Sequence, residues 1–296
     1  MALTRKHLLI IDPQNDFCDL PDAYCPALPT VVAATTTTTT VARLRPALPV
    51  PGAHADMQRL AALIERAGDA INKITLTLDT HQRIDIAHPT FWQQDDGTPV
   101  APFTMVAAAD VRAGHIVPRV AANQTRVLAY LDALEAAGRY THMVWPVHCE
   151  IGTWGHNVHH DLRHAYNGWE ERTSRTVQKI TKGENPWTEH YSAIMAEVPD
   201  LADNATQFNQ RLIDQLQQAD RIYIAGEAGS HCVKASTEHI VQGLGGDAQK
   251  LTLIADCISP VIGFESPYQA FLDAMRGCGA RLATADAVAT ELALNA

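Results

Sequence analysis

The chain has 296 residues, of which 46% are hydrophobic and 19% are charged. This composition is typical of a globular protein with one large domain or two ordinary ones. No apolar run approaches the ~20 residues that a membrane-spanning helix requires, so we expect no membrane partner. The formal net charge of −10 argues against a nucleic-acid partner, because phosphate contacts need clustered Lys and Arg.

Two features bear on where the protein works. The N-terminal stretch MALTRKHLLIIDPQNDF has too short an apolar run for a signal peptide and is expected to form a first strand. The six cysteines are scattered, with no CxxC pair and no dense framework. In a chain able to form a large core, scattered thiols indicate a reducing compartment rather than disulfides. We therefore expect a cytoplasmic protein.

The predicted strands are short, apolar and often β-branched. Nearly continuous hydrophobic runs of this kind are typical of parallel strands that are buried on both faces. In chain order they are HLLIID (7–12), ITLTLD (74–79), HMVWPV (142–147), TVQKIT (176–181), RIYIAG (221–226), LTLIAD (251–256) and the weaker RLATA (281–285).

Helical patterns lie between these strands, with apolar residues at steps of three and four. Gly138 and Gly279 stand where helix C-termini are expected. The predicted helices cover residues 57–71, 125–138, 208–219, 233–244 and 267–279. Strand alternating with helix predicts an α/β protein with an open, mostly parallel, Rossmann-like sheet and helices on both faces. In such sheets the ligand crevice lies outside the carboxyl ends of the strands.

Two long stretches interrupt this alternation. Residues 18–50 carry five prolines and the run TTTTTT (35–40), and residues 89–123 form a second irregular segment. We predict a single domain over residues 1–296, with both stretches as insertions or loops within it. Loops of this length are usually functional or disordered, so a cover over the crevice is one role open to them.

Polar side chains follow the predicted strands where each strand ends. Asp12 follows the first strand, Lys182 the fourth, and Cys232 comes after the fifth, within IAGEAGSHCVKAS (224–236). The carboxyl ends of parallel strands meet at one edge, so these groups should converge. A Cys that opens a helix beside a lysine favours the thiolate. A carboxylate nearby can take the thiol proton and hand it to a leaving amine.

Each of these residues has an ordinary structural interpretation when it is taken alone. Cys232 would be a buried structural thiol, Asp12 a strand-end cap and Lys182 a solvated charge. Their coincidence on three strand ends favours a nucleophile, a base and a cation. The same turn can present the main-chain N–H groups of Ala228 and Cys232 to an oxyanion.

A second polar set has the composition of a metal site. Asp79 and His81 are two residues apart and face the same way on an extended strand end, and His148 would come from a neighbouring strand end. His88 is either a further ligand or a loop residue that only lies nearby. One carboxylate with two imidazoles suits Zn²⁺, with Fe²⁺ or Mn²⁺ as alternatives. HNVHH (156–160) is a rival cluster, which we interpret as surface groups.

Five motifs in this order resemble a known family. They are LLIIDPQNDFC, LDTH, WPVHCEIGTWG, ITKG and IAGEAGSHCVKAS. Together they resemble the isochorismatase-like cysteine-hydrolase superfamily, and within it the nicotinamidase (pyrazinamidase) branch. Isochorismatases lack this nucleophile and this metal pair, so both features favour the amidase branch. The resemblance covers most of the chain apart from the two insertions and implies the isochorismatase-like hydrolase fold.

Carried over by position, the resemblance implies roles for the catalytic residues. Asp12 is the acid/base aspartate, Lys182 the lysine and Cys232 the nucleophile. The oxyanion hole falls on the backbone N–H groups of Ala228 and Cys232. A cis peptide bond that family members carry in this turn would be Glu227–Ala228.

The resemblance also implies the groups that hold the metal and the substrate ring. The metal ligands are Asp79, His81 and His148, with His88 near a further ligand position. Phe17 and Trp145 match the aromatic residues that flank the ring. One departure stands out, because the family commonly has G-x-A-T-D-x-C where this chain has GEAGSHC. The hydrogen bonds of the turn must therefore differ.

The expected function is hydrolysis of nicotinamide to nicotinate and ammonia through a Cys thioester, by a metal-dependent hydrolase acting on amide C–N bonds. One alternative is an amidase for another small carboxamide, with the insertions setting specificity. A second is a relative that binds ligand without turnover, and a third makes the metal site purely structural. The family includes monomers and oligomers, which leaves a homo-oligomer open.

Overall fold

The computed structural model describes residues 4–28 and 42–294. In these ranges the strands are β1 (Lys6–Ile11), β2 (Lys73–Asp79), β3 (Trp92–Gln94), β4 (Thr104–Val106), β5 (Ile116–Pro118), β6 (His142–Val144), β7 (Gln178–Lys182), β8 (Arg221–Gly226), β9 (Leu251–Ile254) and β10 (Arg281–Ala283). The helices are α1 (Ala53–Ala67), α2 (Ala108–Ala113), α3 (Gln124–Ala137), α4 (His160–Thr173), α5 (Gln210–Gln217), α6 (Cys232–Gly243), α7 (Glu265–Gly277) and α8 (Ala285–Leu294).

A parallel sheet of six strands forms the centre of the protein. Its order is β10-β9-β8-β1-β2-β7, and every pairing in it is parallel. All six residues of β1 are buried, as its continuous apolar run predicts. On its flanks α1 packs against α4 and α8, and α5 packs against α6. The predicted α/β class with a mostly parallel sheet is confirmed.

One strand prediction is wrong. HMVWPV (142–147) was expected in the parallel sheet, but only His142–Val144 is extended, and it pairs antiparallel with β4. Strand β7 takes the place beside β2 instead. Pro146 lacks the N–H that a ladder needs, so it cannot continue a central strand, and the chain turns away after Val144.

The prediction that residues 89–123 are irregular is also wrong. This segment contains β3, β4, α2 and β5, with β3 and β5 paired antiparallel. Apolar side chains from this segment and from α3 form a second core, which includes Trp92, Val111 and Leu131. These strands have three residues each, too few for a periodicity to show.

The other interrupting stretch is described only in part. Its Thr run (35–40) lies outside the described residues. The described part contains a 3₁₀ turn at Asp22–Tyr24 and isolated bridges that join Cys18 to Val50 and Ala27 to Arg43. None of the described helices combines the length and the apolarity needed to cross a bilayer.

Gly226 ends β8 where that strand lies closest to β1. Its φ of +115° is in the region that favours glycine, and a Cβ would fall 2.0 Å from the Ile11 carbonyl oxygen. We expect Gly226→Ala to lower the free energy of unfolding by more than about 3 kcal/mol in urea titrations. Gly138→Ala is the control, because its added Cβ meets no atom within 4 Å and should cost about 1–2 kcal/mol. Equal losses of unfolding free energy in the two variants would refute the steric role of Gly226.

His7 is a buried imidazole on β1, with Nε2 2.8 Å from Thr75 Oγ1. Burial, and then the nearby Lys73 charge, lower its pKa to about 3. The unfolded chain therefore binds a proton here below about pH 6.5 that the folded chain does not, and stability is lost as the pH falls towards 3.

We expect His7→Gln to reduce the slope of unfolding free energy against pH between 6 and 4 by about 1.4 kcal/mol per pH unit. Urea titrations at several pH values measure this slope. His115→Gln, at an exposed position, is the control and should leave the slope unchanged. An unchanged slope in His7→Gln would show that this imidazole does not contribute.

Candidate active site

The predicted catalytic groups meet at the carboxyl edge of the sheet. Asp12 directly follows β1, Asp79 ends β2, and Lys182 ends β7. Cys232 opens α6, six residues after β8 ends at Gly226. All four side chains are buried. The pairing of β1 with β2 and β8, and of β2 with β7, brings these strand ends together.

The Lys182 ammonium lies at the centre of this group. Its Nζ is 2.9 Å from Asp12 Oδ2 and 2.9 Å from Asp79 Oδ1, and 3.6 Å from Cys232 Sγ. It also donates a hydrogen bond of 3.0 Å to the His190 carbonyl oxygen. Although burial opposes this, the two carboxylates raise the pKa of Lys182 well above its ordinary value. Lys182 is therefore a buried cation that both acids share.

One oxygen of the Asp12 carboxylate accepts a hydrogen bond, whereas, in the described ranges, the other does not. The Thr77 hydroxyl donates a 2.5 Å hydrogen bond to Oδ1, and the Asp12 N–H bonds back to Thr77. Oδ2 accepts no directed hydrogen bond from a described residue, and it faces the Lys182 charge. Asp12 is close enough to the Cys232 thiol to raise its pKa. Burial raises the pKa of Asp12, which makes it a stronger base.

The surroundings of the thiol oppose the thiolate that the sequence favours. Burial raises the pKa of Cys232 well above its ordinary value, and the opposing effect of Lys182 does not compensate. A protonated thiol needs a base at the moment of attack, and Asp12 is the carboxylate within reach.

The turn before Cys232 has the features expected of an oxyanion hole. The Glu227–Ala228 peptide bond is cis, as the resemblance implies. The N–H groups of His231 and Val233 both donate to the Ala228 carbonyl oxygen, at 3.0 and 3.1 Å. In the described ranges, the N–H groups of Ala228 and Cys232 have no acceptor. Both donors are therefore available to a substrate oxygen.

The altered turn sequence has its own set of contacts. A Cβ on Gly229 would fall 2.6 Å from the Tyr268 ring, so that ring occupies the space of a larger side chain. Ser230 Oγ accepts a 3.1 Å hydrogen bond from the Val261 N–H. Glu227 is buried and accepts a 3.2 Å hydrogen bond from the Ser259 N–H. Glu227 and Ser230 thus attach the turn to residues 259–261, and Gly229 leaves room for the Tyr268 ring.

The predicted metal ligands converge beside the catalytic group. Asp79 Oδ2 lies 3.1 Å from His81 Nε2 and 3.2 Å from His148 Nε2. His81, His88 and His148 are all buried and offer nitrogens within 4.8 Å of one another. The prediction that His148 comes from a neighbouring strand end of the main sheet is wrong. His148 lies in the loop after β6.

These residues fit a divalent metal ion. The second nitrogens of two imidazoles are engaged, since His81 Nδ1 is 3.0 Å from Asp85 Oδ2 and His148 Nδ1 is 2.8 Å from the Pro146 carbonyl oxygen. Such contacts orient metal-binding imidazoles. His88 Nδ1 is buried without a hydrogen-bond partner among the described residues. A carboxylate with two or three imidazoles suits Zn²⁺, Fe²⁺ or Mn²⁺.

A narrow pocket leads to the nucleophile. Phe17 and Trp145, the predicted ring-binding residues, both line it, and Phe17 lies 5.4 Å from the His148 ring. Its free volume of about 20 Å³ holds little more than one water. The remaining lining residues are Leu48, Asp79, His148, Glu189, Tyr191, Ala228, His231, Cys232 and Val261.

Several pocket residues were missed by the sequence reasoning. The Tyr191 hydroxyl accepts a 3.1 Å hydrogen bond from Trp145 Nε1 and so fixes the indole. Burial lowers the pKa of His231 to about 4, so its ring is neutral at the pocket wall. Glu189 Oε2 is buried without a partner in the described ranges. Of these three residues, only His231 could have been found from the sequence, because it directly precedes the nucleophile.

The prediction that the rival cluster HNVHH (156–160) consists of surface groups is wrong. His160 is exposed, but His156 is half-buried and His159 fully buried. His159 Nε2 lies 2.8 Å from His54 Nδ1, and its Nδ1 accepts from the Asp161 N–H at 3.3 Å. His159 therefore caps α4.

No protein-family model matches the sequence, and no curated protein matches it either. Solved structures match in fold. A yeast nicotinamidase bound to the inhibitor nicotinaldehyde is 18% identical, with a TM-score of 0.58 over 94% of this chain and 99% of that one. A nicotinamidase/pyrazinamidase from Acinetobacter baumanii is 18% identical, with a TM-score of 0.57 over 97% and 100%.

A third similar structure is a pyrazinamidase from Pyrococcus horikoshii in complex with zinc. It is 16% identical, with a TM-score of 0.51 over 95% of this chain and 99% of that one. At these identities the likeness demonstrates the shared fold. The fold expected from the sequence is therefore the one that these structures share.

The imidazole cluster should bind metal, with Asp85 orienting one ligand. We expect His81→Ala and His148→Ala each to lower zinc affinity more than about 100-fold, and Asp85→Asn to lower it about 10–100-fold. Competition with a chromogenic chelator measures the affinity. His164→Ala, at an exposed position, is the control. Unchanged zinc affinity in His81→Ala would rule out this metal site. Unchanged zinc affinity in Asp85→Asn would rule out the orienting role of Asp85.

Proposed function

We propose that this chain is a metal-dependent cysteine amidase that hydrolyses nicotinamide to nicotinate and ammonia. The observation that carries the proposal is the buried group of Asp12, Lys182 and Cys232, which borders the imidazole cluster in one pocket. Its fold is shared with proteins described as nicotinamidases, one of them bound to the inhibitor nicotinaldehyde, and with a protein from L. infantum in complex with nicotinate. A site of this composition on this fold supports the nicotinamidase branch.

The geometry supports a thioester route. Asp12 accepts the thiol proton as Cys232 Sγ attacks the carboxamide carbon, and the carbonyl oxygen takes up the negative charge. The N–H groups of Ala228 and Cys232 hold that oxyanion. Asp12 then gives its proton to the amide nitrogen, the C–N bond breaks, and ammonia leaves a thioester on Cys232.

Hydrolysis of the thioester reverses these roles. Asp12 takes a proton from a water whose oxygen attacks the acyl carbon. The C–S bond then breaks, nicotinate leaves, and the thiolate recovers the proton from Asp12. Throughout, the Lys182 ammonium lies within 3.6 Å of Sγ and 2.9 Å of the Asp12 carboxylate. It therefore stabilises the thiolate as that charge forms.

The metal would be held by Asp79, His81 and His148, with His88 as a further ligand. When bound, it would supply a Lewis acid for the pyridine nitrogen of the substrate. Phe17 and Trp145 would flank the ring. Because the free volume is about 20 Å³, the lining side chains must move apart when a ring enters. Zinc is the metal we propose, with iron or manganese as alternatives.

The cellular setting forms part of the same proposal. A small-molecule amide is the partner, residues 1–296 form one domain, and the protein works in the cytoplasm in pyridine nucleotide salvage. All six cysteines are free, which supports a reducing compartment.

A second candidate is an amidase of the same type for another small carboxamide. Leu48, from the segment 18–50, lines the pocket, and Phe103, from the segment 89–123, lies 6.0 Å from the Trp145 ring. The segment 18–50 thus contributes Leu48 to the pocket wall, and the segment 89–123 places Phe103 against Trp145, a residue that lines the pocket. Both contacts can alter specificity. A binder without turnover is disfavoured, because it has no need of a thiol, a base and a cation together.

The test is ammonia release from nicotinamide by the purified, zinc-loaded protein. We expect Cys232→Ala to abolish release and Asp12→Asn to lower kcat by about 10²–10⁴-fold. The controls are Cys278→Ala and Asp22→Asn, at exposed positions. Retained activity in Asp12→Asn would rule out the proton shuttle. No release from a folded, zinc-loaded protein would refute nicotinamide as the substrate, and pyrazinamide and aliphatic amides would then be tried.

A further inference from the structure

A larger cleft lies on the other side of β2 from the catalytic group. Its free volume is about 420 Å³, within the range of small-molecule sites. We call it the α4 cleft, because it lies between α4 and the β2–β7 edge of the sheet. The residues on which the inference depends are Tyr24, Trp154, His156, Arg163, Tyr166 and Lys179.

The α4 cleft is cationic in a chain whose net charge is −10. No carboxylate is among its lining residues, whereas Arg163 and Lys179 both line it. In the described ranges, neither cation has an ion pair or a hydrogen bond, and Lys179 Nζ lies 5.0 Å from the centroid of the Tyr166 ring. An anion would therefore find two positive groups that no carboxylate neutralises in the described ranges.

Two acidic side chains of α4 are engaged in hydrogen bonds. Asp161 accepts a 2.6 Å hydrogen bond from the Tyr24 hydroxyl, and its other oxygen lies 3.1 Å from His160 Nδ1. Glu170 accepts a 2.6 Å hydrogen bond from the Val177 N–H. Neither carboxylate forms an ion pair with Arg163 or Lys179, so both positive charges of the cleft remain uncompensated by them.

The walls of the α4 cleft are aromatic. Tyr166 is buried and Trp154 and Tyr24 are half-buried, and all three line the cleft. Flat rings bind other flat rings by stacking, which is worth about 1–3 kcal/mol for a nucleobase. The cleft thus combines a cationic end with aromatic walls.

We propose that the α4 cleft binds a nucleoside monophosphate, a doubly charged phosphate joined to a flat ring. Arg163 and Lys179 would contact the phosphate, and the half-buried rings of Trp154 and Tyr24 would contact the base. This site is separate from the catalytic pocket and does not depend on the proposed amidase function.

The probe is AMP, titrated by calorimetry into the zinc-loaded protein, with adenosine and inorganic phosphate as separate arms. We expect one AMP per chain, with affinity that falls as salt is raised, because the phosphate contacts are ionic. Adenosine and phosphate should each bind at least about tenfold more weakly than AMP. Inorganic phosphate that binds as tightly as AMP would refute a nucleotide as the ligand. No AMP binding at millimolar concentration would refute the site itself.

Variants locate the site. Arg163→Ala combined with Lys179→Ala should weaken AMP binding at least about tenfold. Trp154→Ala should weaken the binding of AMP but not that of inorganic phosphate. Arg211→Ala is the matched control, an exposed arginine without an ion pair in the described ranges, and should bind AMP as the parent does. Both cations are exposed, so the double variant should fold, which circular dichroism checks. Unchanged affinity in the double variant would overturn the proposal.

Discussion

The site depends on one buried cation. Lys182 touches Asp12 and Asp79 at 2.9 Å each, and no other lysine or arginine among the described residues forms an ion pair with either acid. Two carboxylates this close would repel each other in a buried environment, and one would be protonated. Removing one partner of a buried ion pair typically costs about 3–5 kcal/mol, because the remaining charge is left without compensation. Strand order is what makes the arrangement attainable, since β7 lies directly beside β2.

The shared cation leaves the two acids with different tasks. Asp12 has its remaining oxygen bound by the Thr77 hydroxyl and its open side towards the thiol, and burial raises its pKa. Asp79 turns its second oxygen towards His81 and His148. Burial opposes this, but the neighbouring positive groups lower the pKa of Asp79 well below its ordinary value. The raised pKa of Asp12 suits proton transfer, whereas the lowered pKa keeps Asp79 ionised, as a metal ligand must be.

Much of this arrangement could be predicted from the sequence, because each strand is an apolar run that ends in a polar residue. Asp12, Asp79 and Lys182 were placed in this way, and parallel strands bring such ends together. The departure of β6 from the sheet could not be predicted in the same way, because it depends on which strand competes for the edge of β2. Asp85 was also missed, although its spacing of four from His81 was visible. Its role depends on a loop geometry that has no periodicity.

The pocket walls and the state of the thiol are beyond sequence reasoning for a different reason. Leu48, Tyr191 and Val261 come from three distant parts of the chain, and only the folded packing shows that they share a pocket with Cys232. The pKa of Cys232 is likewise set by the water that this packing removes. A lysine and a helix N-terminus nearby suggested a thiolate, but desolvation is the larger effect.

That result changes the part played by the base. A resting thiolate would need Asp12 only to protonate the leaving amine. A resting thiol needs it twice, first to remove the proton and then to deliver it. The geometry fits the second case, because one oxygen of Asp12 is fixed by Thr77 while the other has no competing donor apart from the Lys182 charge. In the proposed reaction, burial thus favours the protonated thiol before attack, and Asp12 would hold that proton for the leaving ammonia.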